Sequence, residues 1–316
     1  MSHRGIRYIH DAEVSQESRE FQGKLFEMGA KGLFSAIVSN NADSDFLKKI
    51  AGTDDITVPA AISDSLTDFC DLTTDHIQGR NVWCFTPKEH PSDKVIFYIH
   101  GGGYLLNISG PHWDFLENLC RETHAILVVP DYPLAPKAKC LEAYAVVEEA
   151  YDQTVRRYAH HDIVVMGDSA GGGMSLGLVQ KLRDENKPLP KEVIVLSPWL
   201  DVTLNDLEID AVEDRDHLLG SRGLVQAGLA YAGDLSPKNP KVSPKYGNFE
   251  KLPLISIFQG TNDIFIVDSR KLVARLEDEN IPVNYFEFPE QCHIWAVFPS
   301  PEAEVAVSKM ISLIKG

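Results

Sequence analysis

Five short runs in this chain are apolar at nearly every position: KVIFYI (Lys94–Ile99), AILVV (Ala125–Val129), DIVVM (Asp162–Met166), EVIVL (Glu192–Leu196) and LISIF (Leu254–Phe258). A strand with one wet face alternates polar and apolar residues, whereas a strand without alternation must be covered on both faces. Helical patterns separate several of the runs, over KCLEAYAVVEEAYDQTVRRYA, GGMSLGLVQKLRDEN and DSRKLVARLEDEN, and PEAEVAVSKMISLIK closes the chain. VNYFEFPE reads as one more strand, and HIQGRNVWCFTP as a strand pair or a single long strand. The fold class is therefore α/β, a mostly parallel central sheet with helices on both faces.

Two segments lie outside this alternation. From Asp11 to about Gly52, Phe21, Leu25, Phe26, Leu33, Phe34, Ile37 and Val38 recur at helical spacing, and a mixed Asp/Ser/Thr stretch over 54–75 follows. Residues 202–251 separate two strands and are too long for an ordinary connection. With a helical piece near HLLGSRGLVQAGLAYAG, they predict a lid or cap.

Charge and cysteine content narrow the function classes. The formal net charge of −16 repels polyanions, so nucleic acid and anionic membrane surfaces are poor partners. Five cysteines without C-x-x-C spacing predict neither a disulfide framework nor a zinc site and suit a reducing compartment. No signal sequence or membrane span is recognisable, so the expected location is cytoplasmic, without integral membrane contact.

The chemistry starts at GDSAG, Gly167–Gly171, a G-x-S-x-G placed between the strand DIVVM and a helical pattern. In that setting the serine sits on a sharp strand-to-helix turn, and small neighbours prevent clashes. A phosphate cradle is the rival reading. No Gly-Lys-Ser/Thr follows, however, and the G-x-G-x-x-G order is absent. Upstream, HGGGY (His100–Tyr104) ends the strand KVIFYI, and such a glycine run can turn backbone N–H groups toward an oxyanion.

A nucleophilic serine also needs a base and an acid, in the chain order Ser, acid, His. After Ser169 the histidines are His217, in the charged EDRDHLLG and read as a solvated surface residue, and His293, directly after a predicted strand. His293 is the better base. Asp263 and Asp268 both follow the strand LISIF; Asp263 falls in the loop, whereas Asp268 reads as a helix N-cap, so Asp263 is the chosen acid.

HGGGY, DYPLAP, GDSAGG, SPWLDVT, GTNDIFIVD and CHIWAVFP, taken together and in this order from about Val95 to the C-terminus, resemble the hormone-sensitive lipase-like esterases of the α/β-hydrolase superfamily. The resemblance implies Ser169 as nucleophile, His293 as general base and acid, and Asp263 as its orienter. Oxyanion donors would be the N–H groups of Gly102, Gly103 and Ala170, with His100 bracing the loop. It also implies a cap built from residues 1–80 and 202–245, over a catalytic core of 81–201 and 246–316. Phe21, Phe26 and Phe34, or Leu218, Leu219 and Leu224, are candidates for lining the acyl site.

Two departures stand out: Pro133 and Lys137 occupy positions where the family often has Arg and Glu, which puts the ion pairing of that loop in doubt. The expected activity is hydrolysis of short- to medium-chain carboxylic esters through an acyl-serine, needing neither metal nor cofactor. Its partner would be a small ester, and a homodimer stays open. Deacetylation, amide hydrolysis, acyl transfer and a non-catalytic receptor on the same fold are the alternatives.

Overall fold

The computed structural model describes residues 5–316. Nine strands form one sheet in the order β1-β9-β8-β7-β6-β4-β5-β3-β2. They are β1 (Arg7–Ile9), β2 (Cys70–Ile77), β3 (Arg80–Pro87), β4 (Val95–Ile99), β5 (Ile126–Pro130), β6 (Ile163–Asp168), β7 (Glu192–Leu196), β8 (Leu254–Asn262) and β9 (Val283–Cys292). The HIQGRNVWCFTP region is indeed a strand pair: β2 and β3 form an antiparallel hairpin around Gln78 and Gly79, and β3 runs antiparallel to β5. Every other pairing is parallel. The five apolar runs form β4 to β8, and β4 to β7 are buried at every position.

The first helices are α1 (Gln16–Met28), α2 (Leu33–Val38), α3 (Ser44–Ala51) and α4 (Asp64–Phe69). The amphipathic stripe expected over 11–52 falls into three helices, and Gly29 and Gly52 take the left-handed conformations that end α1 and α3. Next come α5 (Gly110–Thr123), α6 (Cys140–Arg157) and α7 (Ser169–Asp184). The remaining helices are α8 (Asp210–Glu213), α9 (Ser221–Ala232), α10 (Ile266–Asp278) and α11 (Pro301–Lys315). Neither α5 nor β1 is anticipated by the sequence reading. Residues 1–80 also contribute β1 and β2 to the sheet besides the helices above it. Among the described residues no helix is long and apolar enough to cross a membrane.

Buried polar contacts fix the two outlying segments to the core. Glu302 on α11 accepts from Ser15 N (2.6 Å), Ser15 Oγ (2.8 Å) and Ser18 Oγ (2.8 Å), which anchors the start of α1. At the base of the insertion, Lys245 Nζ lies 2.6 Å from Asp201 Oδ2 and 2.8 Å from Asp268 Oδ1, both carboxylates being buried. Asp268 is thus an ion-pair partner inside α10 and not its N-cap, since the helix already begins at Ile266.

Lys245→Met would leave two buried carboxylates without their cation. Removing one partner from such a network costs about 3 kcal/mol, so urea denaturation should show a clearly lowered midpoint. An unchanged midpoint would mean that solvent screens the cluster.

Candidate active site

In a parallel arrangement the carboxyl ends of the strands share one edge, where ligands of open α/β sheets bind. Four loops leave that edge here. The glycine loop follows β4, Ser169 follows β6, Asp263 follows β8 and His293 follows β9. Sheet topology, and not proximity in the chain, therefore brings the chosen residues to one end of the molecule.

Ser169 is the first residue of α7 and has φ +51°, a left-handed value that is strained for a side chain with a Cβ. The turn is feasible because α7 approaches β4 very closely: a Cβ on Gly171 would sit 2.0 Å from the Ile99 carbonyl oxygen. Trp199 N donates to Ser169 O (2.8 Å), which ties the turn to the end of β7. Asp168, fully buried, joins the turn to the glycine loop. Its Oδ1 accepts from Gly101 N (2.8 Å) and Tyr98 OH (2.6 Å), and its Oδ2 lies 3.2 Å from His112 Nε2. Burial by itself would raise the Asp168 carboxyl, yet His112, Tyr98 and the Gly101 N–H hold it below the usual range.

In the glycine loop, Gly102 and Gly103 have φ values of +112° and +61°. Their N–H groups donate no hydrogen bond among the described residues. Ala170 N lies in the first turn of α7, where donors lack an intrahelical acceptor. His100 donates from Nδ1 to Gly101 O (2.7 Å) and stacks on Tyr132, whose hydroxyl donates to the His100 carbonyl (2.8 Å). Burial pushes the His100 imidazole down to about 4, so it stays neutral, and its Nε2 has no partner.

Asp263 and His293 are brought together. Asp263 is fully buried, and its Oδ2 accepts from His293 Nδ1 and Gln259 Nε2, both at 2.9 Å, while Oδ1 accepts from Phe265 N (2.9 Å). Burial by itself would lower the His293 imidazole. The Asp263 carboxylate outweighs that and raises it above its ordinary value. Ser197 Oγ accepts from Ile294 N (3.1 Å) and holds the histidine loop from the end of β7. No hydrogen bond joins Ser169 Oγ to His293 among the described residues; catalytic contacts of this kind are often long without substrate. Ser169 and His293 are 5% and 3% exposed, which makes the site nearly closed.

An aromatic stack runs along one side of it. Tyr231 of α9 lies on Tyr104 with centroids 3.6 Å apart, Tyr104 on Trp199 and Trp199 on Phe265, whose ring meets the edge of His293 at 5.1 Å. From the N-terminal helices, Phe34 of α2 presses on the glycine loop: a Cβ on Gly103 would lie 2.4 Å from Phe34 Cε1. Leu219 and Leu224 are buried, Phe21 and Leu218 are partly buried, and Phe26 is 70% exposed and so lines no acyl site. His217 is not a free surface residue either. It is partly buried and donates from Nδ1 to Gln22 O (3.2 Å), because α1 covers it.

The residues missed by sequence reasoning are Asp168, Gln259, Ser197 and Asp216, all polar and buried. An acidic residue inside GDSAG, directly after an apolar strand, was the available signal for Asp168. Close to Pro133, Arg80 of β3 pairs with Asp131, and Asn107 Nδ2 donates to the same carboxylate (2.9 Å).

The alpha/beta hydrolase fold family matches residues 96–297. An esterase of Acinetobacter venetianus is 29% identical over 220 residues, which cover 68% of this chain and 72% of the relative. A triacylglycerol lipase of Mycobacterium tuberculosis is 30% identical over 220 residues, 69% of this chain but only 45% of the relative's length. The crystal structure of an esterase from the bacterial hormone-sensitive lipase family has the same fold, with a TM-score of 0.79 over 96% of this chain and 99% of that one, at 22% identity. The chain belongs to the alpha/beta hydrolase fold family and is similar to esterases and lipases within it.

Proposed function

We propose that this protein is a serine carboxylesterase that hydrolyses short- to medium-chain carboxylic esters through an acyl-serine. The observation that carries the reading is the buried 2.9 Å pair between His293 Nδ1 and Asp263 Oδ2, at the sheet edge that also bears Ser169 on its strained turn. With Nδ1–H committed to the carboxylate, Nε2 keeps its lone pair and is free to accept a proton. His293 takes the proton of Ser169 Oγ as that oxygen attacks the ester carbonyl. The carbonyl oxygen becomes an oxyanion facing the N–H groups of Gly102, Gly103 and Ala170. Collapse expels the alcohol with the proton from His293, and water, deprotonated by the same nitrogen, releases the acid and restores the serine.

The size of the acyl group follows from the cap. Phe34 against Gly103, together with the near-closure of Ser169, supports a small apolar acyl site. Both relatives, an esterase and a triacylglycerol lipase, support ester chemistry over amide chemistry.

Ser169→Ala should lose both p-nitrophenyl ester turnover and labelling by a fluorophosphonate; retained turnover would remove Ser169 from the nucleophile role. Asp263→Asn should lower kcat on the order of 10⁴-fold, whereas Asp268→Asn, which touches only the Lys245 cluster, should keep most activity.

The pH dependence has a defined sign. A base must be unprotonated, and His293 is raised, so activity falls as pH drops through a value above the ordinary histidine pKa of about 6.5. In a pH series of kcat/KM the acid limb should lie above that value. A limb below it would argue against the Asp263 partnership.

Asp168→Ala would untie the glycine loop from the serine turn. Losing the alignment of one oxyanion donor costs on the order of 10²-fold in kcat, and stopped-assay kinetics should show that loss with little change in KM. In an ester panel from acetyl to dodecanoyl, Phe34→Ala should move the optimum to longer chains. An unmoved optimum would place the acyl group elsewhere.

A further inference from the structure

The cap insertion carries a buried carboxylate that the mechanism above does not use. Asp216, between α8 and α9, is 1% exposed. Its Oδ1 accepts from Leu218 N (2.9 Å) and Leu219 N (2.8 Å), which forms the cap turn. Its Oδ2 crosses to the core and accepts from Ile264 N (3.0 Å), the residue next to Asp263. The acid loop thus distributes two successive N–H groups between two carboxylates: Phe265 N to Asp263 and Ile264 N to Asp216. We infer that Asp216 is a positioning residue for the Asp263–His293 pair, holding the acid loop in register and making that register depend on the seating of the cap. The inference rests on the triad reading of the preceding section.

Two physical facts favour this over simple packing. Ile264 is fully buried, so its N–H without Asp216 would be left as an unsatisfied buried donor. Asn or Ser could accept that bond, yet the chain places a second carboxyl group beside Asp263. Burial and the Asp263 carboxylate push Asp216 up to about 7, against the Leu219 N–H and the attraction of His293. The same charge adds to those that raise His293. What gains from two carboxylates is the imidazolium formed when His293 accepts the serine proton.

The neighbouring charged and titratable groups are few. The core side offers Asp263, His293 and the Cys292 thiol, which Asp216 helps to raise. On the cap side His217 bonds to Gln22 O, and Glu213 is occupied by Ser221 N and Oγ. Lys31 bonds to the Glu213 carbonyl oxygen. The turn leads directly into α9, which packs on α2 so tightly that a Cβ on Gly223 would lie 2.4 Å from Ser35 N. A shift of either cap segment therefore reaches the acid loop through one side chain.

The test is Asp216→Asn, whose carbonyl can keep the cap-turn bonds while its amide faces Ile264 N–H and loses that bond and the charge. The expected result is a kcat about tenfold lower, as for a small misalignment, with KM within about twofold and the acid limb of kcat/KM moved to lower pH. Asp201→Asn, which removes a buried carboxylate not facing His293, should lower the unfolding midpoint and leave the limb in place. A wild-type kcat with an unmoved limb, or a loss matched by Asp201→Asn without a limb shift, overturns the inference. Ser169→Ala is run in parallel. If it still turns over, the triad reading itself fails; if it is dead while the Asp216→Asn limb is unmoved, only the Asp216 role falls. Should Asp216→Asn not fold, the same kcat, KM and limb measurements are made on Asp216→Ser, and a wild-type kcat with an unmoved limb overturns the proposal.

Discussion

The close approach of α7 to β4 is the constraint on which the site depends. Gly171 lies against the Ile99 carbonyl with no room for a Cβ, and this lets the chain reverse within one residue at Ser169. The strain at that residue persists because its surroundings fix it on several sides: the Trp199 N–H on the Ser169 carbonyl, and the neighbouring Asp168 buried against Tyr98, His112 and Gly101. Through Asp168, the serine turn and the glycine loop become one rigid piece.

Around that piece the molecule is assembled from distant segments. The N-terminal helices are held by Glu302 of the last helix, the insertion by Lys245 between Asp201 and Asp268, and the two cap segments meet where α2 packs on α9. The aromatic stack from Tyr231 to Phe265 runs through both cap and core and ends on the His293 ring. Cap and core share apolar surface and a few buried charges, so they act as one body around Ser169.

Much of this was legible in the residues. Strands β4 to β8 could be read because two-sided burial removes polar alternation, and the serine turn because small residues there have a local steric cause. Helix α5 left a signal that went unused: Pro111 in the first turn after Ser109, with Trp113, Leu116 and Cys120 on one face. Strand β1 left almost none. It is three residues long and is defined by backbone pairing with β9, which makes no demand on side-chain pattern. The helical stripe over 11–52 is divided at Gly29, a break that the apolar spacing runs across and that the left-handed backbone reveals.

The sequence by itself determined the fold class and the sharp turn at Ser169, because periodicity and tight-turn chemistry act within a few residues. Only the tertiary structure decided the partners. It gave Asp268 to Lys245, paired Asp131 with Arg80, and set Asp216 of the insertion behind the acid loop. These contacts join residues from 23 to 51 positions apart. At such separations the meeting of two carboxylates, or of a carboxylate and a base, is fixed by the packing of the sheet and cap and leaves no trace in local sequence.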